Sequence, residues 1–237
     1  MIKAYYTATN GAISNKNYLD VLSNNMANIQ TVGFKKSKAE FSDLVYTNIR
    51  DVEGANSNLK SGSGSKVNKV DLVFSQGAPY RTGLATDFAI VGDGFFSVQF
   101  EEENLFTRGG NFEIVNLEGE NYLMYQGGYV LDSNEEPIFL ENPDDINNVS
   151  IGVFTFYNNE DLEQVGNNLY RISNEYGEYE IVERSDSKLM QGFLEASNVE
   201  VSEEMVKLIQ LQKAFQLNSK VIQTADEIQQ VINSLRG

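Results

Sequence analysis

The sequence of 237 residues lacks cysteine, histidine and tryptophan altogether, and it contains only three prolines. These absences exclude a disulfide, a thiol nucleophile, a zinc finger and a histidine-based catalytic triad. Any chemistry would depend on carboxylate, serine, tyrosine, lysine and arginine side chains alone. We expect neither a bound metal nor a cofactor.

Positive charge is scarce as well, since 18 Lys and Arg stand against 34 Asp and Glu and the net charge is −16. Nucleic acid is therefore not an expected partner, because neutralising phosphates requires cations. The acidity is concentrated in residues 82–187, where three cations accompany twenty-two acids, whereas residues 1–81 carry ten cations and six acids. Such segregation predicts two structural parts with different surroundings.

Long apolar runs do not occur in the sequence. Stretches such as residues 153–157 are far too short to span a bilayer, so we expect no membrane insertion. The opening Met1-Ile2-Lys3 is not followed by the apolar core of a signal peptide. If the protein leaves the cytoplasm, we expect it to do so without a cleaved signal peptide.

Both ends of the chain show helical periodicity, with apolar residues recurring every three or four positions. This spacing predicts two long amphipathic helices, each with a coiled-coil-like seam. The N-terminal seam consists of Met1, Tyr5, Ala8, Ala12, Asn15, Leu19, Leu22, Met26 and Ile29. The C-terminal seam consists of Leu208, Leu211, Phe215, Asn218, Ile222, Ala225, Ile228, Ile232 and Leu235, and Ser202 is the expected N-cap of that helix.

The middle of the chain has the period-two alternation of strands. Alternating apolar residues occur in 70–74, 96–100, 112–114, 122–124, 129–131 and 149–153, with Gly, Asn and Asp turn signals between them. We therefore predict an α+β protein with a central antiparallel β-rich domain and terminal helices that form an assembly layer. The expected boundaries are 1–34 and 200–237 for the helical part, 35–69 for a connecting linker and 70–199 for the β-rich domain.

A helix of about 30 residues with one apolar stripe gains most of its stability from packing, because isolated helices are marginal in water. The two ends must therefore pair with each other or with other subunits. Burying a Leu or Phe contributes about 1.5–3 kcal/mol, while ordering costs about 1–2 kcal/mol per residue. For one seam between two helices, the free energy gained by burial about equals the cost of ordering. The periodicity therefore favours self-assembly of several helices.

Two other function classes are open. The Ser-x-x-Lys spacing of serine acyl hydrolases occurs at Ser57–Lys60, Ser63–Lys66 and Ser185–Lys188. That chemistry needs the motif at the start of a helix, and chance in Ser- and Lys-rich loops is the simpler interpretation. The second alternative is a secreted adhesin or binding module that is oligomerised by its helical ends.

Residues 21–36, with the sequence VLSNNMANIQTVGFKK, resemble the N-terminal signature of the flagellar basal-body rod and hook protein family. Residues 197–206, 209–215 and 218–226 are similar to the C-terminal signature of that family. Between them, residues 92–96 and 106–112 resemble its central hallmarks. The resemblance covers nearly the whole chain, in the order of the family.

The resemblance implies a non-enzymatic structural subunit of the flagellar rod, which transmits torque to the hook and filament. It implies an inner layer of terminal helices, disordered in the monomer, and an outer β-domain. The implied partners are further copies of the chain, other rod and hook subunits, and the flagellar type III export apparatus. The implied location is the basal body, outside the cytoplasm, and distal and proximal rod types remain alternatives.

The expected assembly interface combines seam residues with residues of the two signatures. Gly33 would permit a tight turn out of the first helix and Phe34 would dock beneath it. The Asn side chains would either cap the helix end or bridge subunits. The basic run 35–38 would face the acidic domain. The full set is Ala12, Leu19, Leu22, Asn24, Asn25, Met26, Asn28, Ile29, Gly33, Phe34, Leu208, Leu211, Phe215, Asn218, Ile222, Ala225 and Ile232.

Overall fold

The computed structural model describes residues 2–48, 60–101, 103–117, 119–142, 146, 149–156, 162–172 and 187–236. The chain divides into two compact units. Unit 1 combines Met1–Ala27, Ser37–Leu72 and Glu200–Gly237, and unit 2 combines Asn28–Lys36 and Val73–Val199. Each unit is therefore built from segments that are distant in the sequence.

Unit 1 contains two long helices, α1 (Ile2–Ala27) and α2 (Val201–Arg236). At 1.5 Å per residue they are about 39 and 54 Å long. The predicted pair of terminal helices is thus confirmed, but α1 ends before Ile29. Helix α2 begins at Val201, where the amide of Glu204 donates to the carbonyl of Glu200 at 3.1 Å.

The N-cap predicted for α2 is wrong, because Ser202 lies inside the first turn. Its hydroxyl donates to the side chain of Glu200 at 2.8 Å, so Glu200 occupies the capping position instead. A serine shortly before an apolar run resembles a cap in sequence, but the helix begins two residues earlier than a cap at Ser202 would require.

In its described residues, unit 1 also contains four strands between the helices. These are β1 (Ser37–Asp43), β2 (Thr47–Asn48), β3 (Lys60–Ser61) and β4 (Ser65–Leu72). Strands β1 and β4 pair antiparallel, as do β2 and β3. Residues 37–72 therefore belong with the helices instead of forming an irregular connection, although 49–59 lie outside the described residues.

Unit 2 is built from short antiparallel strands. Its elements are β5 (Pro79–Arg81), β6 (Phe88–Val91), β7 (Phe95–Phe100), β8 (Glu103–Thr107), β9 (Glu113–Leu117), β10 (Glu120–Tyr125), β11 (Gly128–Val130), β12 (Phe139–Leu140), β13 (Val153–Phe154), β14 (Leu162–Gly166), β15 (Leu169–Ile172), β16 (Lys188–Gln191) and β17 (Phe193–Glu195). Within the described residues, nine of them form one sheet with the order β12-β10-β11-β7-β8-β15-β14, in which β13 also pairs with β7 and β9 with β10. Strand pairs β16–β6 and β17–β5 complete the unit.

The central antiparallel β-structure that the alternation predicts is confirmed. The side chains of Phe96 and Val98 on β7 and Leu123 on β10 are fully buried in the core, packed around Phe112 and Val130. The alternation in 149–153 predicted a longer strand than the two residues of β13. Acidic side chains of the same sheet, such as Glu103 on β8 and Glu163 on β14, are exposed, which explains how so negative a segment still has an apolar interior.

Candidate assembly surface and buried ion cluster

Helices α1 and α2 pack antiparallel within unit 1. Asn25 of α1 donates to Glu204 of α2 at 3.4 Å, and Gly11 of α1 lies against Asn218 of α2. From Gly11 to Asn25 and from Glu204 to Asn218 the chain advances by the same 14 residues. The two chain ends therefore pair with each other, which is one of the two possibilities left by the periodicity.

The N-terminal seam is only partly buried by this pairing. Ala8 and Leu22 are buried, whereas Tyr5 and Leu19 are 42% and 36% exposed. Ala12, Asn15, Met26 and Ile29 are intermediate, and Met1 lies outside the described residues. The sequence pattern placed the stripe about one position away from the buried face, because that face also includes polar residues that bond to strand β4.

Two polar residues carry the contact of α1 with the β-hairpin of unit 1. Ser14 is buried and donates to the carbonyl of Ser65 at 2.8 Å, and Asn10 donates to the carbonyl of Ser63 at 3.3 Å. Because these side chains are polar, apolar periodicity could not have identified them. They show that one face of α1 belongs to the hairpin and a different face to α2.

The C-terminal seam is more exposed than the N-terminal one. Leu211 is buried, and Leu208, Asn218, Ile222, Ala225 and Ile232 are intermediate. Phe215, Ile228 and Leu235 are 47%, 46% and 82% exposed. Continuing the register of the helix pair places Ile2 opposite Glu227, so the last turns of α2 extend past the start of α1. Of the residues predicted for the assembly interface, Leu19, Asn24 and Phe215 are exposed in the single chain, and most of the others are intermediate.

A shallow apolar groove of about 440 Å³ runs between the two helices. Leu19 and Ile13 of α1 and Leu211 and Phe215 of α2 form its apolar walls, and Lys16 lies at its side. Further large apolar side chains are exposed on the same helices, namely Tyr6, Met205, Val206, Ile209, Leu217, Val221 and Val231. An apolar groove open to water, on helices with this many exposed apolar side chains, marks a candidate interaction surface.

Asn25 ties the end of α1 to the start of β1. Its amide nitrogen donates to the carbonyl of Ser37 at 2.8 Å, and its carbonyl accepts the Ser37 amide at 2.9 Å. Asn25 is buried, so it acts within unit 1, whereas Asn24 is exposed and Asn28 is intermediate. The adjacent Glu204 is also buried and accepts from Lys207 at 2.6 Å.

Gly33 and Phe34 form a tight corner within unit 2. Gly33 has a φ of 66°, and a Cβ there would lie 2.5 Å from the backbone of Arg108. Phe34 is 3% exposed. The chain therefore turns tightly at Gly33, but it does so within unit 2, six residues after the end of α1, and against the segment around Arg108. The docking of Phe34 beneath the helix stays a prediction.

A buried ion cluster, formed by Lys35, Arg108 and Glu195, lies directly beside this corner. The Lys35 ammonium is 2.6 Å from Oε1 of Glu195, and the Arg108 guanidinium is 3.2 Å from Oε2. Exposure of the three residues is 0%, 3% and 1%. Lys35, the first residue of the basic run, is thus inside unit 2 against Glu195, which lies eight residues beyond the acidic segment. No local pattern in the sequence indicates Arg108 or Glu195 as its partners.

Backbone groups complete the hydrogen bonding of the ion cluster. Lys35 donates to the carbonyl of Ser75 at 2.9 Å, Arg108 donates to that of Gly92 at 2.8 Å, and the amide of Gly77 donates to Glu195 at 2.7 Å. The Arg108 guanidinium also lies 5.4 Å from the centre of the Phe95 ring. Burial lowers the pKa of Lys35 and of Arg108, and the charge of Glu195 counteracts that shift in both.

Asn198, near the C-terminal end of unit 2 in the sequence, bonds to the same corner. Its carbonyl oxygen accepts the Lys36 amide at 2.7 Å, and its own amide donates to the Phe34 carbonyl at 3.2 Å. Its side-chain nitrogen donates to the carbonyl of Val73 at 2.6 Å. The Gly-Phe-Lys and Ser-Asn signatures, more than 150 residues apart in the sequence, therefore meet in space.

The Ser-x-x-Lys motifs do not form a catalytic pair where they can be described. Ser63 precedes strand β4 and donates to the carbonyl of Val45 at 2.9 Å, and Lys66 lies exposed on β4. The required helix start is absent from this part of unit 1. Ser57 and Ser185 lie outside the described residues.

No helix in the described part of the chain is both long and apolar enough to cross a membrane. An exposed apolar surface on paired helices, together with a separately packed β-unit, is typical of a subunit of a structural assembly. Family models support this class over three stretches. They match as flagella basal body rod protein over residues 6–35, flagellar hook protein FlgE/F/G D1 domain over 89–153, and flagellar basal body rod FlgEFG protein C-terminal over 190–235.

Relatives match over the full chain. The flagellar basal-body rod protein FlgG of Bacillus subtilis (strain 168) is 33% identical, with 100% of both chains covered. FlgG of Borreliella burgdorferi is 34% identical over 100% of this chain and 99% of its own. FlgF of Mesorhizobium japonicum is 30% identical over 99% and 98%. The chain belongs to the flagellar basal-body rod protein family, whose members are structural subunits of the rod.

Proposed function

We propose that this rod subunit assembles with copies of itself and with other flagellar axial proteins through the exposed apolar faces of α1 and α2. The observation that carries the proposal is the apolar groove between Leu19 and Phe215, together with the exposed apolar residues elsewhere on the same two helices. Pairing of α1 with α2 leaves this surface in water, and covering it with helices of neighbouring subunits would remove a large apolar area from water.

The overhang of α2 supports the same proposal. Ile228 and Leu235 continue the apolar stripe of α2 past the start of α1 and are exposed. The stripe packs against α1 for part of its length and has no helical partner over the rest. This arrangement suits a subunit whose neighbours supply the missing helices. A head-to-tail contact between copies extends into a helical filament when its rotation does not close, and a shaft requires a contact of that kind.

As part of the proposal, the protein reaches the basal body through the flagellar type III export apparatus, without a cleaved signal peptide. Once assembled outside the cytoplasm, it transmits torque to the hook and filament. It does so as a structural element and not as an enzyme. The matches to rod proteins over the full chain support this function and give no support to the adhesin or hydrolase alternatives.

The surface proposal is tested by introducing charge into the groove. We expect Phe215→Asp to block polymerisation while the helix content of the monomer remains, because Phe215 is half exposed in the single chain. Gln223→Asp is the matched control, since it adds the same charge to α2 at an exposed polar position. Leu22→Asp would be a poor test, because Leu22 is 1% exposed and its replacement would disrupt α1–α2 packing itself.

Polymerisation is measured by sedimentation of purified protein, and function by motility of a deletion strain that carries each variant. Electron microscopy of the in-frame deletion should show cells without hooks and filaments, and the wild-type copy should restore them. Normal polymers and normal flagella with Phe215→Asp would contradict the assignment of this surface. Normal flagella in the deletion strain would contradict the rod function.

A further inference from the structure

The buried ion cluster lies where the chain of unit 2 continues toward both helices. Lys35 belongs to residues 28–36, which follow α1, and Glu195 is followed within six residues by the start of α2. The amide of Gly33 donates to the Glu195 carbonyl at 2.8 Å, and the amide of Asn198 donates to that of Phe34. The two connecting segments, 28–36 and 195–199, are thus bonded to each other.

Arg108 links both connecting segments to the sheet of unit 2. It follows β8 directly, its guanidinium bonds Glu195, and its backbone closes over Gly33. Lys35 and Glu195 also hold residues 75–77, through the Ser75 carbonyl and the Gly77 amide. Four separate stretches of chain therefore meet at three charged side chains.

We propose that Lys35, Arg108 and Glu195 are positioning residues for assembly, which fix the two connecting segments on unit 2 so that polymerisation does not have to order them. The assembly half of this inference rests on the proposed function, whereas the fixing of the segments does not. Ordering a segment costs conformational entropy for every residue. When that ordering is already complete in the monomer, a later association is correspondingly more favourable.

The charge of Glu195, and not only the shape of its side chain, holds the two connecting segments in place. Glu195 is the carboxylate that bonds both buried cations, and Asp93, at the exposed edge, adds a weaker attraction to each. Glu195→Gln keeps the shape of the side chain but leaves two neighbouring cations buried without their bonded carboxylate. Removing one partner of a buried ion pair is strongly destabilising for this reason, whereas apolar replacement of all its members can be tolerated.

The first experiment measures amide hydrogen exchange in the full-length monomer. With Glu195→Gln, we expect the amides of Gly33, Lys36, Gly77 and Asn198 to exchange about tenfold faster or more, because their segment opens locally. Amides of the sheet core, such as that of Val98, should keep their protection. Glu103→Gln is the matched control, since Glu103 belongs to an exposed ion pair with Arg171 and should leave all these rates unchanged.

Two further variants separate charge from packing. Lys35→Met leaves a neutral Arg108–Glu195 pair, so it should accelerate exchange less than Glu195→Gln does. Adding Lys35→Met to Glu195→Gln removes one of the two uncompensated cations and should partly restore protection. If Glu195→Gln does not fold, the test becomes whether the double variant folds. The inference predicts that it does, because it has one uncompensated buried cation instead of two.

Three results would overturn the inference. These are unchanged exchange with Glu195→Gln, an equal acceleration throughout the sheet core, and a double variant that is no better protected than Glu195→Gln alone. For the assembly half, Glu195→Gln should raise the protein concentration needed for polymerisation about tenfold or more. A wild-type polymerisation threshold together with fast exchange would overturn that half. If Phe215→Asp leaves polymerisation intact, the proposed surface fails while the exchange result still stands.

Discussion

Gly11 of α1 and Asn218 of α2 approach so closely that a Cβ on Gly11 would lie 2.8 Å from the Asn218 amide nitrogen. The two residues belong to opposite ends of the sequence, and their proximity fixes the distance between the helices at this level. Glycine in the interior of a helix costs about 1 kcal/mol relative to alanine. The close approach explains why that cost is tolerated at the centre of a helix pair.

Gly11→Ala should therefore leave the free energy of unfolding nearly unchanged. The gain in helix propensity, about 1 kcal/mol, is offset by the displacement of Asn218 from its rotamer, which costs about 0.5–1.5 kcal/mol. In an Asn218→Ala background the same substitution should stabilise by about 1 kcal/mol, because the obstacle is gone. Denaturant unfolding followed by circular dichroism measures all four proteins. An equal effect of Gly11→Ala in both backgrounds would contradict the close packing.

Asn25→Ala should destabilise unit 1 by about 2–3 kcal/mol, because it leaves the amide and the carbonyl of Ser37 without their partner. Asn17→Ala, at an exposed position of the same helix, should change stability by no more than about 0.5 kcal/mol. Thermal unfolding of the two monomers makes the comparison. Equal stabilities would instead favour a role for Asn25 between subunits, which was the alternative interpretation of the Asn-rich signature.

Strong periodicity predicted the large features of the fold. A three-four spacing over many turns identified α1 and α2, because one face of each must be apolar whichever partner covers it. The alternation around Phe96 and Val98 identified β7 for the same reason. Local patterns were weaker guides, as Ser202 shows, since several neighbouring residues can take the capping position.

Long-range polar contacts could not be predicted from the sequence alone. Nothing near Lys35 in the chain indicates that its partner is Glu195, 160 residues away. Lys35, Arg108 and Asn198 each lie in a segment that resembles a family signature. The resemblance indicated that these residues matter, but it did not indicate what they contact. Ser14 is a similar case, because a buried serine that bonds a strand interrupts an apolar stripe without revealing what it faces.

Gly33→Ala should destabilise unit 2 by about 2–5 kcal/mol. A left-handed backbone costs a residue with a side chain about 1–2 kcal/mol, and the clash with the Arg108 backbone adds about 1–3 kcal/mol. Gly83→Ala is the matched control, because Gly83 has a φ of 77° and nothing within 4 Å of the added Cβ. It should therefore show the backbone cost alone. Equal losses for the two variants in denaturant unfolding would mean that the corner can move away from Arg108.

Tyr170→Phe should reduce the loss of stability at alkaline pH. Tyr170 is fully buried, and burial raises its pKa above the ordinary value of 10.0. The folded protein thus keeps the phenol protonated to higher pH than the unfolded chain does. The stability contribution is fully present below about pH 10 and is lost as the pH rises further, at up to about 1.4 kcal/mol per pH unit.

The wild type and the variant should therefore differ in slope, with the wild type losing stability faster above pH 10. At neutral pH the variant should be less stable by about 1 kcal/mol, because it lacks the hydrogen bond that Tyr170 donates to Asn168 at 3.2 Å. The lowered pKa of Lys35 acts in the opposite direction on the alkaline side, but it contributes equally to both proteins and cancels in their difference.

Tyr80→Phe, at a residue 44% exposed, is the control and should keep the wild-type slope. The measurement is denaturant unfolding of wild type and Tyr170→Phe at several pH values. If the free energy of unfolding falls equally with pH in both proteins, Tyr170 ionises as readily in the folded protein as in the unfolded chain. That outcome would contradict the raised pKa, which follows from the burial of the hydroxyl beside Glu195.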